Sequence, residues 1–254
     1  SSRGLGDVYK RQGQRGILQD TGYHIRCGQT LEGLWSQPTD TCIAPVPDYG
    51  YFRDALPGHR WTAVSLQPFR GGGSTLLTDE TLILDAIELT RQNPDNADTR
   101  YYVYATWPER TDFAASWTAA VADEDDSPTV QARQYYTHLM ERLRAKTSVP
   151  IYLIPAGDVL YAIDQKLRAG SAPGYASIAD LYRDDFHLSL DIGRFVAGLT
   201  KLATMHAQPP RGIMKPLAYY GANGAAFSPE IYEVIHDAVW DVVSNHAHTG
   251  IRNP

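Results

Sequence analysis

Short apolar runs that stop at glycine or proline alternate along this chain with longer segments whose apolar residues recur at helical spacing, and this alternation most constrains the fold. Tyr23-His24-Ile25-Arg26-Cys27 alternates with period two and halts at Gly28. Trp61 to Leu66 is a second run and ends at Gln67-Pro68. Tyr101 to Thr106 is a third and leads into Trp107-Pro108; Val149 to Pro155 is a fourth and the most apolar, which predicts an interior strand. Between and after these runs the spacing predicts helices over Thr78–Arg91, Val130–Lys146, Ala156–Arg168, Ser189–Ala207 and Pro229–Ser244. Asp79 and Glu80 open the first of these helices, where its dipole favours acids, and Ser189 is the expected N-cap of the fourth. Four strands separated by helices need crossover connections, so the expected class is α/β with a doubly wound parallel sheet. Chemistry in such sheets collects at the carboxyl ends of the strands, here Gly28, Gln67, Trp107 and Gly157.

At 254 residues the chain is long enough to bury a full core. A formal net charge of −6 argues against a general nucleic-acid binder. No run reaches the roughly 18–20 apolar residues that a membrane-spanning helix needs. Only two cysteines occur, Cys27 and Cys42, at no zinc-binding spacing. A disulfide between them is open to the chain in an oxidising compartment, and two separate buried thiols are the simpler expectation. Residues 1–12 (SSRGLGDVYKRQ) have neither period, and resemble the adapter or read-through peptides found at the ends of translated metagenomic proteins. The expected organisation is therefore a foreign segment over 1–12 followed by a single domain over 13–254, incomplete at its N-terminus.

The candidate chemistry sits in Arg183-Asp184-Asp185-Phe186-His187-Leu188-Ser189. A carboxylate three residues before a histidine, in a loop ahead of a helix, can orient the imidazole as general base for a serine hydroxyl. The competing reading is a helix-start aspartate beside a packing histidine, and Asp185 could exchange roles with Asp184. Gly28 could bring a backbone N–H to an oxyanion or merely end a strand, and Gln67 could add a side-chain N–H or bond within its loop. Gly71-Gly72-Gly73-Ser74 lacks the lysine of a phosphate-binding loop, so no nucleotide is expected. Ser36 and Ser74 do not follow a strand through the sharp turn that a nucleophilic serine needs. Trp35, Tyr104 and Trp107 are candidates for an aromatic wall, although packing is the more common fate. His246 and His248 are read as a frayed tail. A metal hydrolase on Asp184, Asp185 and His187 has too few ligands, so neither metal nor cofactor is expected.

These residues resemble the SGNH (GDSL-type) serine hydrolases, in particular an esterase-like branch. In that family a first strand ends in the nucleophilic serine, a glycine and an asparagine help bind the oxyanion, and a D-x-x-H motif supplies acid and base. Asp184-Asp185-Phe186-His187 matches D-x-x-H, Gly28-Gln29-Thr30-Leu31 the glycine block, and Leu66-Gln67 stands where the asparagine block belongs. Two departures matter: glutamine replaces asparagine, and the serine block has no match, Ile17 to Gly22 resembling the end of the helix that follows it. The resemblance implies a flavodoxin-like sheet lacking its native first strand and, with it, the nucleophilic serine, so that the chain as given is expected to be inactive. It also implies an ester substrate, either a small molecule or an O-acetylated carbohydrate, and an extracytoplasmic or secreted setting. His187 is then the general base, Asp184 its orienting acid, and Gly28 and Gln67 the oxyanion donors. A non-catalytic protein of the same fold, binding a glycan or a partner, is the alternative.

Overall fold

The computed structural model describes residues 20–214 and 227–251. The segment 1–12 and the helix end expected from Ile17 lie wholly or mostly outside them. The described chain forms two compact units, the first of residues 20–106 and 120–153, the second of 107–119, 154–214 and 227–251.

In the first unit, α1 (Leu31–Ser36) and α2 (Phe52–Gly58) precede strand β1 (Ala63–Leu66) and helix α3 (Leu76–Arg91). A 3-10 turn (Pro94–Asn96), strand β2 (Arg100–Ala105), helix α5 (Arg133–Lys146) and strand β3 (Ile151–Pro155) follow, the last two residues of β3 counting to the second unit; α4 (Phe113–Trp117) belongs to that other unit. The three strands lie in the order β1-β2-β3, with β1 and β2 parallel. The fold is thus α/β on a parallel sheet. β2, rather than the more apolar β3, has a neighbour on each side among the described residues, and from Tyr101 to Ala105 it is buried throughout. Four of its residues are aromatic or β-branched, side chains that pack well on both faces of a covered sheet.

The run 23–27 does not form the expected strand. Its one ladder contact is an antiparallel bridge between Ile25 and Ile43, reinforced by Cys42 N–H donating to the Ile25 carbonyl at 3.0 Å. The alternation reflects local cross-linking instead. Cys27 and Cys42 form a disulfide with Cα atoms 5.7 Å apart, and both residues are exposed, not the buried thiols expected. Arg26 donates to the Asp40 carboxylate (2.7 Å), the Gly33 carbonyl (2.6 Å) and the Gln37 side-chain oxygen (2.6 Å).

Asp79 and Glu80, in the first turns of α3, are fully buried. Asp79 accepts from the hydroxyls of Tyr135 and, at 2.7 Å, Thr129, tying α3 to α5 and to the segment ahead of it. Burial pushes its carboxyl up, partly offset by those hydroxyls and by Ser74. Glu80 is gripped by Arg142, at 2.7 Å, and by Lys146. Unpaired, such carboxylates would cost several kcal/mol, on the order of the desolvation of an ion.

The second unit contains α4 (Phe113–Trp117), α6 (Ala156–Arg168), a 3-10 turn (Ile178–Leu181), α7 (Ile192–His206) and α8 (Pro229–Asn245). Its core joins Phe113 with the apolar faces of α6, α7 and α8, including Val159, Ile163, Phe195, Leu199, Ile235 and Val239. His246 and His248, after α8, are packed and ordered. His246 Nε2 lies 3.4 Å from the Asp158 carboxylate while its Nδ1 accepts from His248 N–H at 3.2 Å. Gly157, expected near the chemistry, instead sits in α6 against the Trp117 indole.

Candidate functional site

The Asp184–His187 segment is a closed loop of the second unit. An antiparallel bridge joins Tyr182 to Leu188, and Arg183 N–H donates to the His187 carbonyl at 2.9 Å. Within that turn the Asp184 carboxylate accepts from the backbone N–H groups of Phe186 (2.9 Å) and His187 (2.7 Å). His187 Nδ1 lies 2.9 and 3.0 Å from the two Asp184 oxygens. A carboxylate can only accept, so Nδ1 carries the proton and Nε2 is the free basic nitrogen of the neutral ring. Nε2 makes no hydrogen bond among the described residues, and the side chain is half exposed. The two N–H donors, with the imidazole, hold the Asp184 carboxyl down at about 2.

Asp185 does not exchange roles with Asp184. Its carboxylate pairs with Arg110 at 2.8 Å, and its carbonyl accepts from Arg110 N–H at 2.8 Å. Two further bonds hold the loop to the same stretch: Trp107 Nε1–H donates to the Phe186 carbonyl at 3.3 Å, and the Tyr182 hydroxyl to the Pro108 carbonyl at 2.8 Å. The stretch Trp107–Arg110 follows β2 after one intervening residue and cradles the loop, a role no local pattern announces. The metal reading would need Asp184, Asp185 and His187 to converge, which the Arg110 pair prevents; among the described residues no such cluster forms.

Behind the loop, α7 begins at Ile192. Its cap is Asp191, whose carboxylate accepts from Ile192 N–H, two residues later than the Ser189 expected. Ser189 still contributes, its hydroxyl accepting from Gly193 N–H at 2.9 Å. Gly193 allows the helix to approach: a β-carbon there would lie 2.4 Å from the Leu181 carbonyl oxygen and 2.6 Å from Leu188 Cβ.

Gly28 and Gln67 belong to the first unit. Gly28 occupies an exposed turn after Cys27 with φ of 65°, a left-handed conformation that favours glycine. Gln67, just past β1, is exposed and its amide makes no hydrogen bond among the described residues. The two serines weighed as nucleophiles are engaged elsewhere. Ser74 is buried with its hydroxyl toward Asp79 (3.4 Å), and Ser36 donates to the Gly33 carbonyl (3.1 Å). The aromatic candidates also pack: Tyr104 is buried, Trp35 is covered by Phe52 and by the Arg53 guanidinium 5.2 Å above its ring, and Trp107 serves the loop.

No known protein family matches this chain by its sequence profile, and no curated protein matches it. Among solved structures, a DUF4886 family protein from Bacteroides uniformis ATCC 8492 is similar, with a TM-score of 0.57 and 16% identity over 93% of this chain and 87% of that one. At that identity the likeness concerns the fold alone, and it is consistent with a flavodoxin-like α/β arrangement.

Proposed function

We propose that the chain carries the acid–base pair of an SGNH-like serine esterase, acting on an ester such as an O-acetylated carbohydrate. The observation that carries this reading is the grip of Asp184 on His187 Nδ1, which fixes one tautomer and leaves Nε2 of a half-exposed ring without a hydrogen bond among the described residues. From there Nε2 can take the proton of a serine hydroxyl as it attacks an ester carbonyl, then return it to the leaving alcohol. Asp184 stabilises the imidazolium that forms in between. The oxyanion roles of Gly28 and Gln67 rest on the resemblance alone. No serine hydroxyl bonds to His187 among the described residues, so the nucleophile has to be identified by experiment.

The resemblance puts the nucleophilic serine in a block that this chain does not match, so the test joins the chain to the coding sequence upstream of it in its source, treats the folded product with a fluorophosphonate probe and assays it on p-nitrophenyl acetate and acetylated xylan. A serine adduct located by mass spectrometry, with both labelling and turnover lost in His187→Ala, is the expected result. Neither adduct nor turnover in that folded product would overturn the esterase reading and leave the non-catalytic binding protein in its place.

A further inference from the structure

Two adjacent carboxylates, Asp184 and Asp185, occupy a turn that contains one imidazole. Only Asp184 reaches it; Asp185 is drawn off by Arg110, which takes its carboxylate through the guanidinium and its carbonyl through the backbone N–H. Arg183 lies on the Asp184 side, its Nε 3.4 Å from the carboxylate, so the two acids are claimed by two different arginines. The Arg110 and Asp185 side chains are 43% and 57% exposed, and an ion pair so open contributes little to stability. What it does fix is which way Asp185 faces. We infer that Arg110 is a positioning residue: it holds Asp185 away from the ring and so reserves His187 for Asp184.

This inference rests on the reading of His187 as the working base, but its test needs neither nucleophile nor substrate. Without Arg110, Asp185 is a second acceptor in the same short turn, and the ring is shared between two carboxylates. The ring nitrogens of His187 then lose their single protonation pattern. Asp185→Asn breaks the same ion pair but also removes the competing charge. An ion pair that merely fastens the loop would respond alike to loss of either partner; a positioning pair would not.

The experiment follows the His187 side-chain nitrogens by 15N-edited NMR in the full chain. Compared with it are Arg110→Ala, Arg110→Lys, Asp185→Asn and the double variant Arg110→Ala/Asp185→Asn. The unaltered chain is expected to show the Nδ1-protonated tautomer, and Arg110→Ala averaged nitrogen shifts. Arg110→Lys, Asp185→Asn and the double variant should return the fixed pattern. An unchanged pattern in Arg110→Ala overturns the inference, as does an equal loss in Arg110→Ala and Asp185→Asn. Should Arg110→Ala fail to fold, Arg110→Gln replaces it; a chain that folds with neither makes Arg110 structural and also overturns the inference. A failed esterase assay beside the expected NMR pattern would remove the proposed function and leave this relationship standing.

Discussion

The Trp117 indole lies across Gly157 so closely that a β-carbon on the glycine would come within 2.2 Å of the ring. Trp117 is fully buried, and its Nε1–H is held by the Asp158 carboxylate at 3.2 Å, so the ring is both packed and anchored. Gly157→Ala would gain about 0.5–1 kcal/mol from helix propensity. Overpacking of a fixed ring costs about 1–3 kcal/mol, and the clash should win. The expected outcome is a lower urea midpoint by circular dichroism; an unchanged or higher midpoint would show that the ring slides.

Gly193 poses the same question at the candidate site, with a backbone carbonyl as the obstacle. Gly193→Ala should lower stability by about 1–3 kcal/mol and displace the turn it supports. Two-dimensional amide spectra should show shifts concentrated at residues 181–188. Shifts confined to α7 would mean that the helix moves and the turn does not depend on it.

Acid should loosen the Asp184 turn in a defined window. The folded carboxyl sits at about 2, below the ordinary range near 4 of an unfolded aspartate. Its contribution is therefore present above about pH 4 and is lost as pH falls through the folded value near 2. Burial pushes Asp79 the opposite way, so global stability mixes two trends. Carboxyl 13C shifts separate them: Asp184 should titrate near 2, and a midpoint close to 4 would mean that the turn is open in solution.

Asp79 itself is an acceptor for two hydroxyls that have few other outlets. Asp79→Ala removes that acceptor from Tyr135 and Thr129 and should cost about 2–3 kcal/mol, read as a shift of the denaturation midpoint. A cost below about 1 kcal/mol would mean that the Thr129 and Tyr135 hydroxyls, 3.1 Å apart, satisfy one another.

The disulfide joins cysteines 15 positions apart. Loop-closure entropy for a ring of that size is worth about 3 kcal/mol. Replacing both cysteines by serine should cost somewhat less, because the three Arg26 bonds still fasten the same loop. Arg26→Ala in the disulfide-free background should then cost more than in the intact chain. Equal effects in the two backgrounds would show that staple and arginine act independently.

Strands β1, β2 and β3 were legible because aromatic and β-branched runs there end at proline or lead straight into it. The run 23–27 carried an equally clear alternation, yet its partner 40–44 is irregular and the order comes from Arg26 and a disulfide that sequence left open. The Asp184–His187 contact could be read because its residues are three apart and meet within one turn. Arg110 could not, since nothing local links it to Asp185, 75 positions away. The burial of the acids of α3 was not legible for a similar reason: their partners Tyr135, Arg142 and Lys146 lie on another helix. Charge on a helix reads as solvated until its partner is placed.

The chain passes between its two units at 106/107, 119/120 and 153/154, so the stretch that cradles the histidine turn is interpolated within the sequence of the first unit. The turn and its cradle are joined by bonds spanning 74 to 79 positions. A graft or truncation that carried only residues 154 onward would transplant the Asp184–His187 turn without Trp107, Pro108 and Arg110. Recombination can therefore not inherit this dyad as a cassette: its donor must contribute two separated segments of chain, or the turn arrives without its footing.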